Sequence, residues 1–467
     1  MATAATGGIP DAPEGAVLVQ GGTVVSREGT GAADILIRGS RIEMVGRSLS
    51  APGARRIDAR GLVVVPGGVD VHTHLGVGSD DWRTGTVAAA CGGTTTVVDH
   101  PGFGPAGCPL SRQIAESRRL ADGVSAVDYG LHAVVQHVDD AVLEALPDLL
   151  HAGISSLKLY MTYDFRLEDA AIARLLSRAA EEGLLVAAHC EDHATITGLR
   201  ERFAREGNLS PRFHALSRPP EAEAAAIRRL ASLAGAAGSP TLYVVHLSSE
   251  AGLAEVRRAR DRGLPVIAET CPQYLLLDEE LYDEPDGDGL KYVMSPPLRR
   301  RADREALWKA LAGGEISVVA TDHCPFFLSD KKKRAAGSFL RCPNGAPGIE
   351  TRMAILYAEG VVAGRLTLRR YVEVTATEPA RIMGLYPNKG VIAPGSDADL
   401  LFLDPRRTVR IEASSLHQRC DYTPFEGMEA AGVPALTMLR GRLIAEDGRF
   451  TGGVGGGAFL ERRNHGT

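Results

Sequence analysis

The sequence predicts an α/β fold: a (β/α)8 TIM-type barrel with a small β-sandwich formed from both chain termini. Three observations predict it. Eight short apolar runs between residues 67 and 385 alternate largely with Ala-, Glu- and Arg-rich helical stretches, the pattern of a parallel sheet closed on itself. Further β-type runs bracket that region on both sides. The length of 467 residues suits a barrel plus a smaller module, since such barrels take about 250 residues.

Taken in order, residues 1–15 are small, Gly- and Pro-rich, and predict a flexible N-terminus. Residues 16–66 form the first part of the sandwich, with runs at 16–20, 23–25, 34–38, 41–45 and 62–66. Gly39-Ser40 between two of these runs signals a hairpin. The barrel occupies 67–385. Its strands are expected at 69–72, 94–99, 129–135, 155–160, 184–189, 241–246, 265–270 and 316–322. Helices such as 167–182 and 221–230 lie between them. Residues 386–450 complete the sandwich through runs at 390–394, 399–404, 409–411 and 437–445. The tail 451–467 opens T-G-G-V-G-G-G and reads as a flexible linker that could dock on a neighbouring subunit.

Composition narrows the function classes. Apolar residues make up 44% and charged residues 24% of the chain, which is ordinary for a globular protein. The net charge of −6 predicts no nucleic-acid partner. No run of 18 apolar residues predicts a membrane span. The first basic residue is Arg27, so a secretory n-region is not expected. Seven cysteines do not suggest a disulfide framework, and a cytoplasmic location is expected.

Barrel active sites sit at the C-terminal ends of the strands, and here several strands end in metal-ligand types. The first runs into His72-Thr73-His74; others finish at His189, His246 and Asp322. Residues two apart in a strand point to one side, so His72 and His74 can reach one metal. These residues predict a divalent-metal centre. Two metals would need one more anionic bridge. Lys158 closes the apolar run S-S-L-K-L-Y, where a buried ammonium is costly. Carboxylated by CO2, it would offer one oxygen to each metal; a salt-bridging or Schiff-base lysine is the alternative. His100, His132, His137, His151, His193, His214, His323, His417 and His465 are read as ordinary core or rim histidines. Cys190, Cys271 and Cys324 are read as small core residues, and K-K-K-R at 331–334 as a solvated loop.

Longer motifs make the match specific. They include P-G-G-V-D-V-H-T-H at 66–74, A-C-G-G-T-T-T-V-V-D-H at 90–100, S-S-L-K-L-Y-M-T-Y at 155–163, E-T-C-P-Q-Y at 269–274, S-P-P-L-R at 295–299, A-T-D-H-C-P-F at 320–326 and C-P-N-G-A-P-G-I-E at 342–350. From about Val17 to the tail the chain resembles the hydantoinase/dihydropyrimidinase family of cyclic amidohydrolases. G-F-G-P-A-G-C at 102–108 and H-A-L-S-R-P at 214–219 are most similar to its D-phenylhydantoinase branch.

The resemblance implies two divalent metal ions per subunit, usually zinc. His72, His74 and Asp322 would hold one, His189 and His246 the other, and carboxylated Lys158 would bridge them. It further implies that Tyr163 meets the carbonyl oxygen under attack and that Ser295 and Asn344 hold the ring imide. Asp322 would carry the proton from the nucleophile to the leaving nitrogen. The partner expected is a small-molecule cyclic ureide, and the assembly a homotetramer. One segment departs from the pattern: only L-G-V-G-S at 75–79 separates His74 from D-D-W-R-T-G-T, where relatives commonly carry a longer loop. The pocket should be more open there. An allantoinase or other ureide-specific enzyme is the alternative, and a non-enzymatic assembly homologue a more distant one.

Overall fold

The computed structural model describes residues 15–105 and 107–463. The expected loose start, Gly15 apart, and His465 lie outside these residues. Eight parallel strand positions form the barrel: Gly68–Thr73, Thr94–Asp99, Asp128–Leu131 continued by Ala133–Val134, Ser156–Tyr160, Leu185–His189, Leu242–Val244, Val266–Thr270 and Val318–Val319. The third is interrupted at His132, whose ring bonds Val71 O at 3.1 Å and Ser156 Oγ at 2.7 Å across the barrel interior. A bridge between Thr73 and His323 joins the last strand's end to the first. Val71, Val98, Leu185, Ala187, Tyr243 and Val318 belong to one buried cluster, and the barrel helices pack around the strands through a larger one. Among the described residues no helix is long and apolar enough to cross a membrane.

The chain ends meet in one nine-stranded sheet. Val63–Pro66 pairs antiparallel with Leu400–Arg410, with Leu400 opposite Pro66 and Leu401 opposite Val65. Val19, Ile35, Ile37, Val64, Leu400 and Phe402 share its core. The expected single run at 437–445 is a hairpin between Glu429–Leu439 and Arg442–Glu446. Arg440 and Gly441 turn it at φ of 45° and 78°, the left-handed geometry that two-residue hairpins require.

Three further expectations change, and one strand goes unread in the sequence. The run at 390–394 is not a strand: it is a buried loop, closed by Ser396 Oγ donating to Ala393 O at 2.7 Å. Burial of a short apolar run does not discriminate strand from packed loop. A short strand at Arg55–Asp58 pairs with Ala16–Val25 and carried little apolar signal. K-K-K-R lies on the helix Leu328–Ala335, with Lys331 fully buried.

The tail is not a free linker as far as residue 463. Gly457 N donates to Ser125 O at 2.9 Å and Leu460 N to Tyr129 O at 2.7 Å. Arg462 is 3% exposed and reaches Ser156 Oγ at 2.9 Å. The glycines serve close approach: a Cβ on Gly457 would stand 1.9 Å from Val127 O. The tail thus docks on its own barrel.

Candidate active site

At the C-terminal ends of the barrel strands lies a cavity of about 350 Å³. Its lining includes His72, His74, Lys158, Tyr163, His189, His246, Ser295, Asp322 and Asn344, all nine residues singled out from the sequence. A larger cavity of about 1100 Å³ lies elsewhere, between the tail and the terminal sheet, and has none of them.

The first strand delivers His72 at its end and His74 just beyond. Both Nε2 atoms stand 3.1 Å from the same Asp322 oxygen, Oδ1. Asp322 is aimed there by its neighbour: Thr321 N and Oγ1 donate to Asp70 at 3.1 and 2.7 Å. His189 ends its strand, and its Nδ1 lies 2.9 Å from His246 Nε2. Lys158 sits inside the strand Ser156–Tyr160 with Nζ buried and without a hydrogen-bond partner. His246 Nδ1 is likewise buried without one.

Three of these residues hold positive φ without being glycine: Tyr163 at 75°, His246 at 40° and Asp322 at 52°. Such backbones cost about 1–3 kcal/mol each and persist where surrounding structure enforces them.

Electrostatics divide the cluster. Burial opposes a charge on His72, yet Glu269 and Asp322 outweigh it and raise its pKa to about 9. Burial pulls His74, His189 and His246 below the ordinary imidazole value, His246 furthest. Burial also lowers Lys158 to about 8. Asp322 is held well below the usual carboxylate range, because His72 and His74 outweigh its burial. Burial raises the Tyr163 phenol, which stays protonated at neutral pH. Ser295 and Asn344 lie beside that phenol, and the Ser295 hydroxyl has no partner.

An orphaned buried amine amid four imidazoles and a carboxylate fits divalent metal: Lys158 Nζ and His246 Nδ1 lack the partners that buried polar groups normally have. Sequence reasoning missed the residues behind them. Glu269 accepts from His72 Nδ1 at 2.7 Å, His246 N at 2.9 Å and Tyr243 Oη at 2.7 Å. Glu191 lies 2.7 Å from His189 Nε2. Asp99 accepts from Thr73 Oγ1 at 2.7 Å and Leu75 N at 2.8 Å, bracketing His74. Glu269 and Glu191 contact imidazole nitrogens directly, and such carboxylates fix imidazole orientation at metal sites. Their signal was present: Glu269 in an apolar strand, and Glu191 two residues after His189.

His100 also differs from its reading. Its ring is 4.4 Å from that of His72, neither nitrogen has a partner, and its donor lies within 4.8 Å of those of His72 and His74. His132, His214, His323 and His417 do bond ordinary partners. Cys190 and Cys271 are buried, whereas Cys324 lines the cavity, its thiol raised by burial.

One wall is aromatic. Phe165 packs 4.6 Å from Phe103, 5.1 Å from Tyr160 and 5.2 Å from Tyr163, ring to ring. The short segment after His74 is pinned, with Ser79 N donating to Pro325 O at 2.8 Å. It presents Val77, 44% exposed, at the cavity mouth.

Residues 63–444 match the model of the amidohydrolase family. The chain belongs to the amidohydrolase family. This amidohydrolase is 46% identical to a D-phenylhydantoinase of Escherichia coli over 96% of its own length and 98% of the relative's. Its fold matches the dihydropyrimidinase of Brevibacillus agri NCHU1002 at a TM-score of 0.94 and 40% identity, covering 97% of this chain and 100% of that one. The D-hydantoinase of a Bacillus sp. AR9 matches at a TM-score of 0.93 and 41% identity, covering 97% and 100%.

Proposed function

We propose that this amidohydrolase opens the cyclic amide bond of 5-substituted hydantoins or dihydropyrimidines, yielding N-carbamoyl amino acids. The observation that carries the reading is the convergence of His72, His74 and Asp322 beside His189, His246 and an unpartnered Lys158 in one cavity, in a chain so similar to hydantoinases over nearly its whole length. The barrel over 67–385 is the catalytic unit in this reading.

His72, His74 and Asp322 would hold one divalent ion, and His189 and His246 a second, with zinc the ion that the family resemblance implies. Lys158 would bridge as its carbamate. Its lowered pKa leaves free amine to react with CO2 near neutral pH. When bound, such ions lower the pKa of water from 15.7 to about 7 and polarise a carbonyl oxygen.

The chain's own residues do the rest. Asp322, ionised at neutral pH, accepts the proton of the attacking water at its carboxylate and returns it to the departing ring nitrogen. Tyr163 donates its phenol hydrogen to the carbonyl oxygen as negative charge gathers there. Ser295 and Asn344 orient the ring imide. Phe103, Phe165 and Val77 give the ring substituent an apolar wall, which favours aryl and bulky alkyl groups. A homotetramer is the accompanying expectation of the family resemblance, and a cytoplasmic location that of the cysteine usage.

The test pairs metal analysis with turnover of 5-phenylhydantoin, 5-alkylhydantoins, dihydrouracil, allantoin and dihydroorotate. About two divalent ions per chain with fastest opening of the aryl hydantoin is expected. Bound metal with turnover only of allantoin or dihydroorotate would overturn the substrate assignment; no metal and no turnover would overturn the reading itself.

A further inference from the structure

We infer that Arg218 is a positioning residue that orients the imidazole of His189 and the phenol of Tyr163 together. The inference rests on the proposed function and names a residue that serves it without touching substrate.

Arg218 is fixed by its chain. It follows the short helix Arg212–Leu216, and Pro219 and Pro220 follow it directly. Its carbonyl accepts a hydrogen bond from Arg299 Nη1, and Arg299 Nε donates to Ser248 Oγ at 3.0 Å. The guanidinium, with a side chain only 2% exposed, has little room to move.

Two contacts leave that guanidinium. Nη1 donates to Glu191 Oε2. The same oxygen lies 2.7 Å from His189 Nε2. A carboxylate only accepts, so His189 carries its hydrogen on Nε2 and keeps a lone pair on Nδ1. Nδ1 is the nitrogen 2.9 Å from His246 Nε2. The second contact is a cation–π pair, with the guanidinium carbon 5.3 Å from the Tyr163 ring centroid. The Tyr163 ring packs 5.2 Å from Phe165 on its apolar side, and Arg218 supplies its charged neighbour.

Arginine suits both contacts at once. Its planar fork can bond a carboxylate along one edge and present its face to a ring, which a lysine ammonium cannot match. Glu191 in turn neutralises a cation whose burial would otherwise be costly. The two roles are therefore separable. A lysine preserves the charge pair with Glu191 and loses the planar guanidinium near the ring. A methionine loses both and strands a buried carboxylate.

The test compares wild type with Arg218→Lys, Arg218→Met and the double variant Arg218→Met/Glu191→Gln. Arg218→Lys should bind zinc as wild type does and lose about tenfold in kcat with little change in KM. Arg218→Met should weaken zinc binding by about 10–100-fold. The double variant should regain zinc relative to Arg218→Met, because no unpaired charge stays buried. Crystal structures of the variants read ring placement directly, independent of turnover. Tyr163 should shift in both single variants and His189 only in Arg218→Met. Unmoved rings, equal effects of Lys and Met, or a double variant no better than Arg218→Met would each overturn the inference. A wild type that opens no hydantoin would sink the proposed function instead, leaving the ring positions to decide the role of Arg218.

Discussion

In the proposed reaction the chemistry concentrates on three side chains. Asp322 stays ionised because His72 and His74 flank it. Asp322→Asn should keep much of the metal yet lose turnover by at least about 10²; near-wild-type kcat would remove it from proton transfer. Tyr163→Phe deletes the proposed donor to the oxyanion. A fall in kcat of about 10²–10³ is expected from steady-state kinetics. Lys158→Ala should lose metal and activity together, and short carboxylic acids should restore part of both if a bridging carboxylate is what Lys158 provides. Metal analysis with and without acetate checks it. His72-x-His74 and the strand-end His189, His246 and Asp322 were legible because strand geometry predicts where such side chains point. Glu269, Glu191 and His100 were not singled out, because a lone carboxylate or histidine in sequence does not reveal which imidazole it faces.

At the scale of elements, loops carry the Ser295 and Asn344 side of the cavity and other elements hold the loops. The helix Leu328–Ala335 shows how. Lys331, its pKa pushed down to about 8 by burial, donates to Leu290 O at 3.1 Å, Val293 O at 3.0 Å and Gly345 O at 2.7 Å. It thereby ties the segment before Ser295 to the one after Asn344. Gly345 sits at φ 147°, and a Cβ there would come within 2.3 Å of Cys324 O, so little else can hold the turn. Lys331→Met should take one hydrogen bond from each of three carbonyls that keep a second donor, cost about 0.5–1.5 kcal/mol per bond, and raise KM more than it lowers kcat. Kinetics on a hydantoin alongside thermal melting would check this split. In the sequence K-K-K-R resembled any solvated charge run; only the helix phase places one of its four cations inward.

For the whole molecule, the join between barrel, terminal sheet and tail depends on one buried charge cluster. Lys389 Nζ lies 2.7 Å from Asp399 and 2.9 Å from Asp397, and also contacts Asp128. Asp128 Oδ1 in addition accepts from Ala458 N of the tail at 2.8 Å. Burial opposes the charge on Lys389, but its three carboxylates outweigh it and raise its pKa. That contribution is present below the unfolded lysine value of about 10.4 and is lost only as pH rises beyond it. Burial raises Asp399 to about 6, so its contribution is full below the unfolded carboxylate value and is lost as pH rises through about 6. Lys389→Met removes the compensating cation. Its melting temperature should fall at every pH, and further at pH 8 than at pH 5, with a loss of about 3–5 kcal/mol where the carboxylates are ionised. Parallel melts at the two pH values would show equal losses if the cluster were only packing.

By itself the sequence determined the fold class, the eight strand positions and the chain's family. These follow from local patterns: apolar runs of strand length, helical periodicity between them, and motifs whose residues are neighbours along the chain. Tertiary structure decided what depends on distant segments meeting. It made a loop of 390–394, turned Lys331 inward, docked a glycine-rich tail on its own barrel, and set Arg218 against both Glu191 and Tyr163. The physical reason is common to all four. Burial and pairing are properties of the space around a residue, and the composition of a short segment specifies that space only when its neighbours in the chain are also its neighbours in the fold.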